Sequence, residues 1–140
     1  MTKDDVLARL TELGCSASDA QGEWLSWFLV DSEDVIAAFL KSESATVITS
    51  RSRLLHVDKE KYALNPSSST FVLADIERLS ITAFGKRYRI VIRGLGGSDN
   101  SYPGSEPTMT IDSAEKDSNS LFKFYQQLTE EFLIAKDARS

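Results

Sequence analysis

Apolar residues recur along this chain first with a helical and later with an alternating period. Val6, Leu7, Leu10 and Leu13 share a helical face. Thr2 and Asp5 stand at capping-box spacing around its start, and Gly14 is a natural stop. The spacing predicts a helix over residues 3–13. A second helix, capped by Ser16 or Ser18, carries Trp24, Leu25, Trp27, Phe28 and Leu29 against Glu23 and Ser26. Two Trp side chains so close together bury a large area, so this helix is expected to dock. Asp31 to Asp34 breaks it.

The pattern then turns strand-like. Val35 to Leu40 is a short apolar run, either a first strand or a third helical turn. Ala45 to Thr49 and Arg53 to Asp58 read as strands. Asn65 to Ser69 reads as a turn-rich loop, and Thr70 to Leu73 as a strand entering a corner at Ala74 to Glu77. Leu79 to Phe84 and Tyr88 to Arg93 alternate around Gly85-Lys86, the clearest hairpin in the chain. Gly94 to Pro107 has the composition of an exposed, mobile loop. Thr108 to Ile111 is a last strand. A long helix follows, capped by Ser118 or Asn119, with Leu121, Phe122, Phe124, Tyr125, Leu128, Phe132 and Leu133 on a broad apolar face. Lys136 to Ser140 is expected to fray. No internal repeat is visible.

Helices, then short strands, then one amphipathic helix must bury that helix on the sheet or across a barrel end. Three segments resemble bacterial pleckstrin-homology-like (PH-like) domains. Ser32 to Phe39 resembles their acidic opening of an apolar first strand. Val47 to Val57 resembles their strand ending in Thr, basic turn and Arg-Leu start of the next strand. Phe71 to Leu79 is similar to the corner that follows. The resemblance covers about residues 32–135. It implies an α+β fold: a bent antiparallel β-barrel of roughly seven strands capped by a C-terminal helix. Here two N-terminal helices over residues 1–31 precede it, and 136–140 form a tail. It implies a binding or assembly module without a shared activity. Phosphoinositide-binding relatives carry a basic cluster between the first two strands. Here that loop is Lys41-Ser42-Glu43-Ser44. A second resemblance, of Val6 to Ala20 to the first helices of a ubiquitin-associated domain, would make residues 34–40 a third helix. The strand is preferred, because the barrel needs an opening strand.

Composition narrows the classes. The chain has 140 residues, 41% hydrophobic and 26% charged, with net charge −5. That suits one soluble domain. No run approaches the ~18 apolar residues of a membrane span, and the first residues lack a signal-peptide core, so a cytoplasmic protein is expected. The charge is uneven. Residues 1–44 hold three bases and nine acids, whereas residues 45–114 hold nine bases and seven acids. The acidic surplus belongs to the helical third.

Candidate chemistry is sparse. His56 is the sole histidine and Cys15 the sole cysteine. No nucleophile elbow surrounds the first, and no base activates the second. Gly94 to Gly97 lacks the helix start of a phosphate cradle. No catalytic residue, metal or cofactor is expected. Arg87, Arg89 and Arg93 share one strand face. With Lys86 at the turn and Arg51 and Arg53 nearby, they form the candidate binding face. Its expected occupant is an acidic protein, such as the acidic third of another copy, or anionic lipid. Nucleic acid is disfavoured by the net charge and by the single nearby aromatic, Tyr88. Trp24, Trp27 and Phe28 are the candidate protein interface. The expected function is a non-enzymatic binding or assembly module that works through protein contacts, self-association among them. The alternatives are a peripheral membrane module using the basic hairpin, and a small hydrolase.

Overall fold

The structure is a computed structural model that describes residues 1–94 and 108–139. Helix α1 (Lys3–Glu12) starts where Thr2 and Asp5 cap each other. The Thr2 hydroxyl accepts from the Asp5 N–H at 3.1 Å, and the Asp5 carboxylate accepts from the Thr2 N–H at 3.3 Å. Helix α2 (Asp19–Phe28) has the same reciprocal cap, made by Ser18 and Gln21. These caps satisfy amide groups that a helix start leaves open. Gly14, just past the end of α1, takes φ +81°, a left-handed conformation suited to glycine.

Strands β1 (Val35–Lys41), β2 (Ser44–Thr49), β3 (Arg53–Asp58) and β4 (Ser67–Val72) form an antiparallel-paired sheet in the order β1-β2-β3-β4. A 3₁₀ turn, Leu73–Asp75, leads to β5 (Ile76–Phe84), β6 (Arg87–Gly94) and β7 (Thr108–Asp112), an antiparallel second sheet in that order. Helix α3 (Ser118–Arg139) closes the chain. The strands and closing helix are those expected.

Two compact units emerge, Met1–Thr70 and Phe71–Ser140. In the first, Val6, Leu10, Leu25 and Leu29 of the helical segment share a buried cluster with Val35, Ala45, Val47, Leu55 and Val57 of the sheet. Each Val or Leu side chain among them contributes roughly 1.5–3 kcal/mol on full burial. The helices approach closely at Gly22, where a Cβ would lie 2.7 Å from Leu7 Cγ and Cδ2. In the second unit, β6 alternates, with Ile90 and Ile92 buried and Arg87, Arg89 and Arg93 exposed. Leu121, Phe124, Leu128 and Ala135 are the buried positions of α3, which contacts β5 and β6.

Four expectations are refined. Residues 35–41 are a strand, which removes the third helix of the ubiquitin-associated reading. Ser67 to Ser69 belong to β4 rather than a loop. Serine is a poor strand former, but β4 extends the β1–β3 sheet through backbone pairing that needs no side chain. Helix α3 runs on through Arg139, past the expected fraying point, and the Arg139 guanidinium donates to Asp75. Of the glycine-rich stretch only Gly94 is described, as the end of β6; residues 95–107 lie outside the described residues.

Candidate functional site

The hairpin of β5 and β6 turns tightly through Gly85 and Lys86. Gly85 takes φ +60° at the first central position, as a II′ turn requires. This fixes the register across the sheet. Phe84 faces Arg87, Thr82 faces Arg89, Ser80 faces Val91, and Arg78 faces Arg93. On the other side Asp112 faces Arg89 and Thr110 faces Val91. Residues two apart share a face. Arg78, Arg87, Arg89 and Arg93 therefore stand together on one exposed face of this sheet.

Their electrostatics differ. Arg89 Nε donates to Asp112 Oδ1 at 2.6 Å, and its guanidinium carbon sits 4.9 Å from the Phe84 ring centre. The hydrogen bond and charge of Asp112 push the Arg89 pKa further above its ordinary value. Arg78, Arg87 and Arg93 have no ion-pair partner among the described residues. Arg78 and Arg93 line a shallow depression of about 210 Å³ with Ser80, Thr82 and Val91. Lys86 Nζ lies 3.7 Å from Glu115 in an exposed pair, which contributes little.

Arg51 and Arg53 lie in the first unit. Arg51 is exposed in the β2–β3 turn. The Arg53 side chain is engaged. Its Nε and Nη2 each lie 2.5 Å from the Glu33 carboxylate, Nη2 also donates to the Phe28 carbonyl at 2.7 Å, and Nη1 donates to the Thr70 hydroxyl at 3.2 Å. Glu33 is buried and accepts further from Thr49 and from the Val30 N–H. Burial pushes its carboxyl upward. The bonds from Arg53, Thr49 and Val30, together with the Arg53 charge, outweigh that and hold it below its ordinary value.

The aromatic trio is divided by α2. Trp24 and Phe28 are half-buried against the cluster of the first unit, whereas Trp27 is 55% exposed. Val30, just beyond the helix, is 51% exposed.

His56 has neighbours that alternation alone did not reveal. Thr46, opposite it on β2, places its hydroxyl 2.8 Å from Nδ1, and Asp58 lies 3.8 Å from Nε2. Hydroxyl, imidazole and carboxylate in that order suggest a nucleophile and its base. Thr46, however, is 1% exposed, so its hydroxyl is closed to a substrate. Burial lowers the His56 pKa, Asp58 opposes that, and Lys41 adds to it. Cys15 is half-buried beside the Ala38 carbonyl, and burial raises its thiol pKa. Among the described residues no group of three or more His, Cys, Asp or Glu could hold a metal ion.

Two residues of the candidate sites were missed by sequence reasoning. Arg78 falls between the expected corner and the expected strand. It joins the face because a register irregularity between Ile76 and Arg78 brings it opposite Arg93. Glu33 reads in the sequence as part of a break and of the acidic opening before the first strand; its pairing with Arg53, 20 residues away, carries no local signal.

No family model matches the sequence, and no curated protein matches it. Among solved structures, a crystal structure of a pleckstrin homology domain from Shewanella amazonensis SB2B is similar. It superposes with TM-score 0.50 at 18% identity, over 74% of this chain and 90% of that one. The likeness shows the fold. This chain has a PH-like fold with two helices ahead of its first strand.

Proposed function

We propose that this chain is a non-enzymatic, cytoplasmic binding module that takes an acidic protein surface on the open face of its β5–β6–β7 sheet. One observation carries the reading. Four arginines share that exposed face, and Arg89 alone among them has an acidic partner among the described residues. Arginine is enriched where interfaces concentrate binding energy. The acidic residues 1–44 of a second copy are one suitable occupant. The sealed Thr46 hydroxyl argues against hydrolase chemistry. The test is affinity capture from the native host with the wild-type chain and with Arg87→Glu/Arg93→Glu. Acidic proteins captured by the first and lost by the second are expected. Light scattering over a concentration series shows whether a second copy is that partner. Identical capture by both chains overturns the reading.

One observation favours the membrane alternative. Tyr62 and Leu64, between β3 and β4, are 90% and 93% exposed and follow Lys59 and Lys61. Aromatic, apolar and basic side chains together suit a lipid interface. Salt-sensitive binding to anionic liposomes, weakened by Leu64→Ser, is the expected result for this segment; a separate lipid contact of the basic hairpin predicts weakening by Arg87→Glu/Arg89→Glu.

A further inference from the structure

Two positions on the arginine face are solved in opposite ways. Arg89 has Asp112 across from it on β7, and the two form an ion pair. Arg78 and Arg93 have each other across β5 and β6. Like charges directly opposite one another in a sheet repel and lower stability. No acid among the described residues relieves this pair. The two side chains border the same shallow depression, which also presents Ser80 and Thr82. Neither of these hydroxyls has a hydrogen-bond partner among the described residues. The depression therefore combines two guanidinium groups, two hydroxyls and the apolar side chain of Val91.

We propose that Arg78, Arg93, Ser80 and Thr82 form a subsite for a phosphate-class oxyanion. Each guanidinium offers a planar fork of N–H donors that matches two oxygens of one anion. A tetrahedral dianion presents three or four acceptor oxygens, whose lone pairs two guanidinium groups and two hydroxyls can share, whereas a planar carboxylate presents two. Charge-assisted bonds of this kind are the stronger class. The anion also removes the repulsion between the two arginines, so binding and sheet stability rise together. The inference rests on reading this face as a binding face, but it needs no protein partner to be tested.

Inorganic phosphate is the first probe, titrated at low ionic strength into the full chain while the arginine side-chain NMR signals are followed. Saturable shifts of Arg78 and Arg93 are expected, with acetate at matched ionic strength giving none. Arg93→Ala should weaken phosphate binding about tenfold or more, the loss of one charge-assisted contact, and Lys123→Ala, at an exposed position of α3, should not. Arg78→Glu separates binding from folding: it should abolish the phosphate response and raise the thermal midpoint, because it replaces a repulsive pair by an attractive one. A phosphoserine peptide and phosphatidate vesicles then identify the carrier of the anion; binding of neither, with phosphate still bound, assigns the subsite to the free anion. Equal responses to phosphate and acetate, an unchanged titration in Arg93→Ala, or a lower midpoint in Arg78→Glu would each overturn the subsite. Failure of protein capture with intact phosphate binding would reject the partner reading alone.

Discussion

Arg53 and Glu33 close a two-point ion pair, Nε to Oε2 and Nη2 to Oε1, each at 2.5 Å. The carboxylate is fully buried and the guanidinium is 18% exposed. Arg53 also reaches the last carbonyl of α2 and the hydroxyl of Thr70 on β4. One side chain thus ties a helix end, the segment before β1, and two strands. Removing either member leaves a buried polar group without its partner, which costs about 3–5 kcal/mol. Arg53→Ala should lower unfolding free energy by that amount in a urea titration. Arg51→Ala, at the exposed turn two residues earlier, should change it little.

The same pair makes the protein sensitive to acid. The folded state holds the Glu33 carboxyl below its ordinary 4.5. As pH falls, the unfolded chain takes up this proton first. The stabilisation is therefore complete above the unfolded value and is lost as pH falls from about 4.5 through the folded value. Thermal midpoints measured from pH 6 to pH 3 should fall in this window. Glu33→Gln should start lower and show a shallower slope there.

His56 gives a second and separate window. Its pKa is lowered from 6.5 in the folded chain, chiefly by burial. The neutral ring is favoured on folding, so stability is complete above pH 6.5 and declines as pH falls below it toward the folded value. The single histidine makes the check direct, since its ring-proton NMR signal stands alone. Its midpoint should lie below 6.5, and His56→Gln should flatten the thermal midpoint between pH 7 and pH 5.

Gly22 should not tolerate alanine. Helix propensity alone favours the exchange by ~1 kcal/mol. Here the added methyl would meet Leu7 Cγ and Cδ2 at 2.7 Å. Overpacking of that kind costs about 1–3 kcal/mol. Gly22→Ala should therefore be destabilising in urea, and Leu7→Ala in the same chain should recover part of the loss.

The two tryptophans should separate by experiment. Trp27→Ala should leave stability within about 0.5 kcal/mol, as expected of an exposed site. Trp24→Ala should be clearly destabilising, because Trp24 packs against the cluster of the first unit. If Trp27 is an interface anchor, its loss should reduce partner capture with no change in thermal midpoint.

Local signals were legible and long-range ones were not. Thr2 with Asp5, the helical row Val6, Leu10 and Leu13, and the alternation around Gly85 each act within a few residues. Elements with such signals appear where the sequence places them. Ser67 to Ser69 failed because their strand state is set by a neighbouring strand. Arg53 looked like a surface base because its partner, Glu33, is 20 residues away. Arg78 needed a register irregularity that no side-chain pattern announces. For the proposed binding face, alternation was enough to group Arg87, Arg89 and Arg93, but only the paired strands show which of them is neutralised.

Gln21 caps α2 through its side-chain oxygen and turns its amide nitrogen to the carbonyls of Lys41 and Ser44, which flank the β1–β2 turn. A single buried amide thereby couples the start of a helix to the tip of a hairpin. The helix cannot lift away without releasing that tip, so the two should open as one cooperative event in hydrogen exchange. The turn between the first two strands is fastened from within by the chain's own helix, and its motion reports on whether that helix is seated.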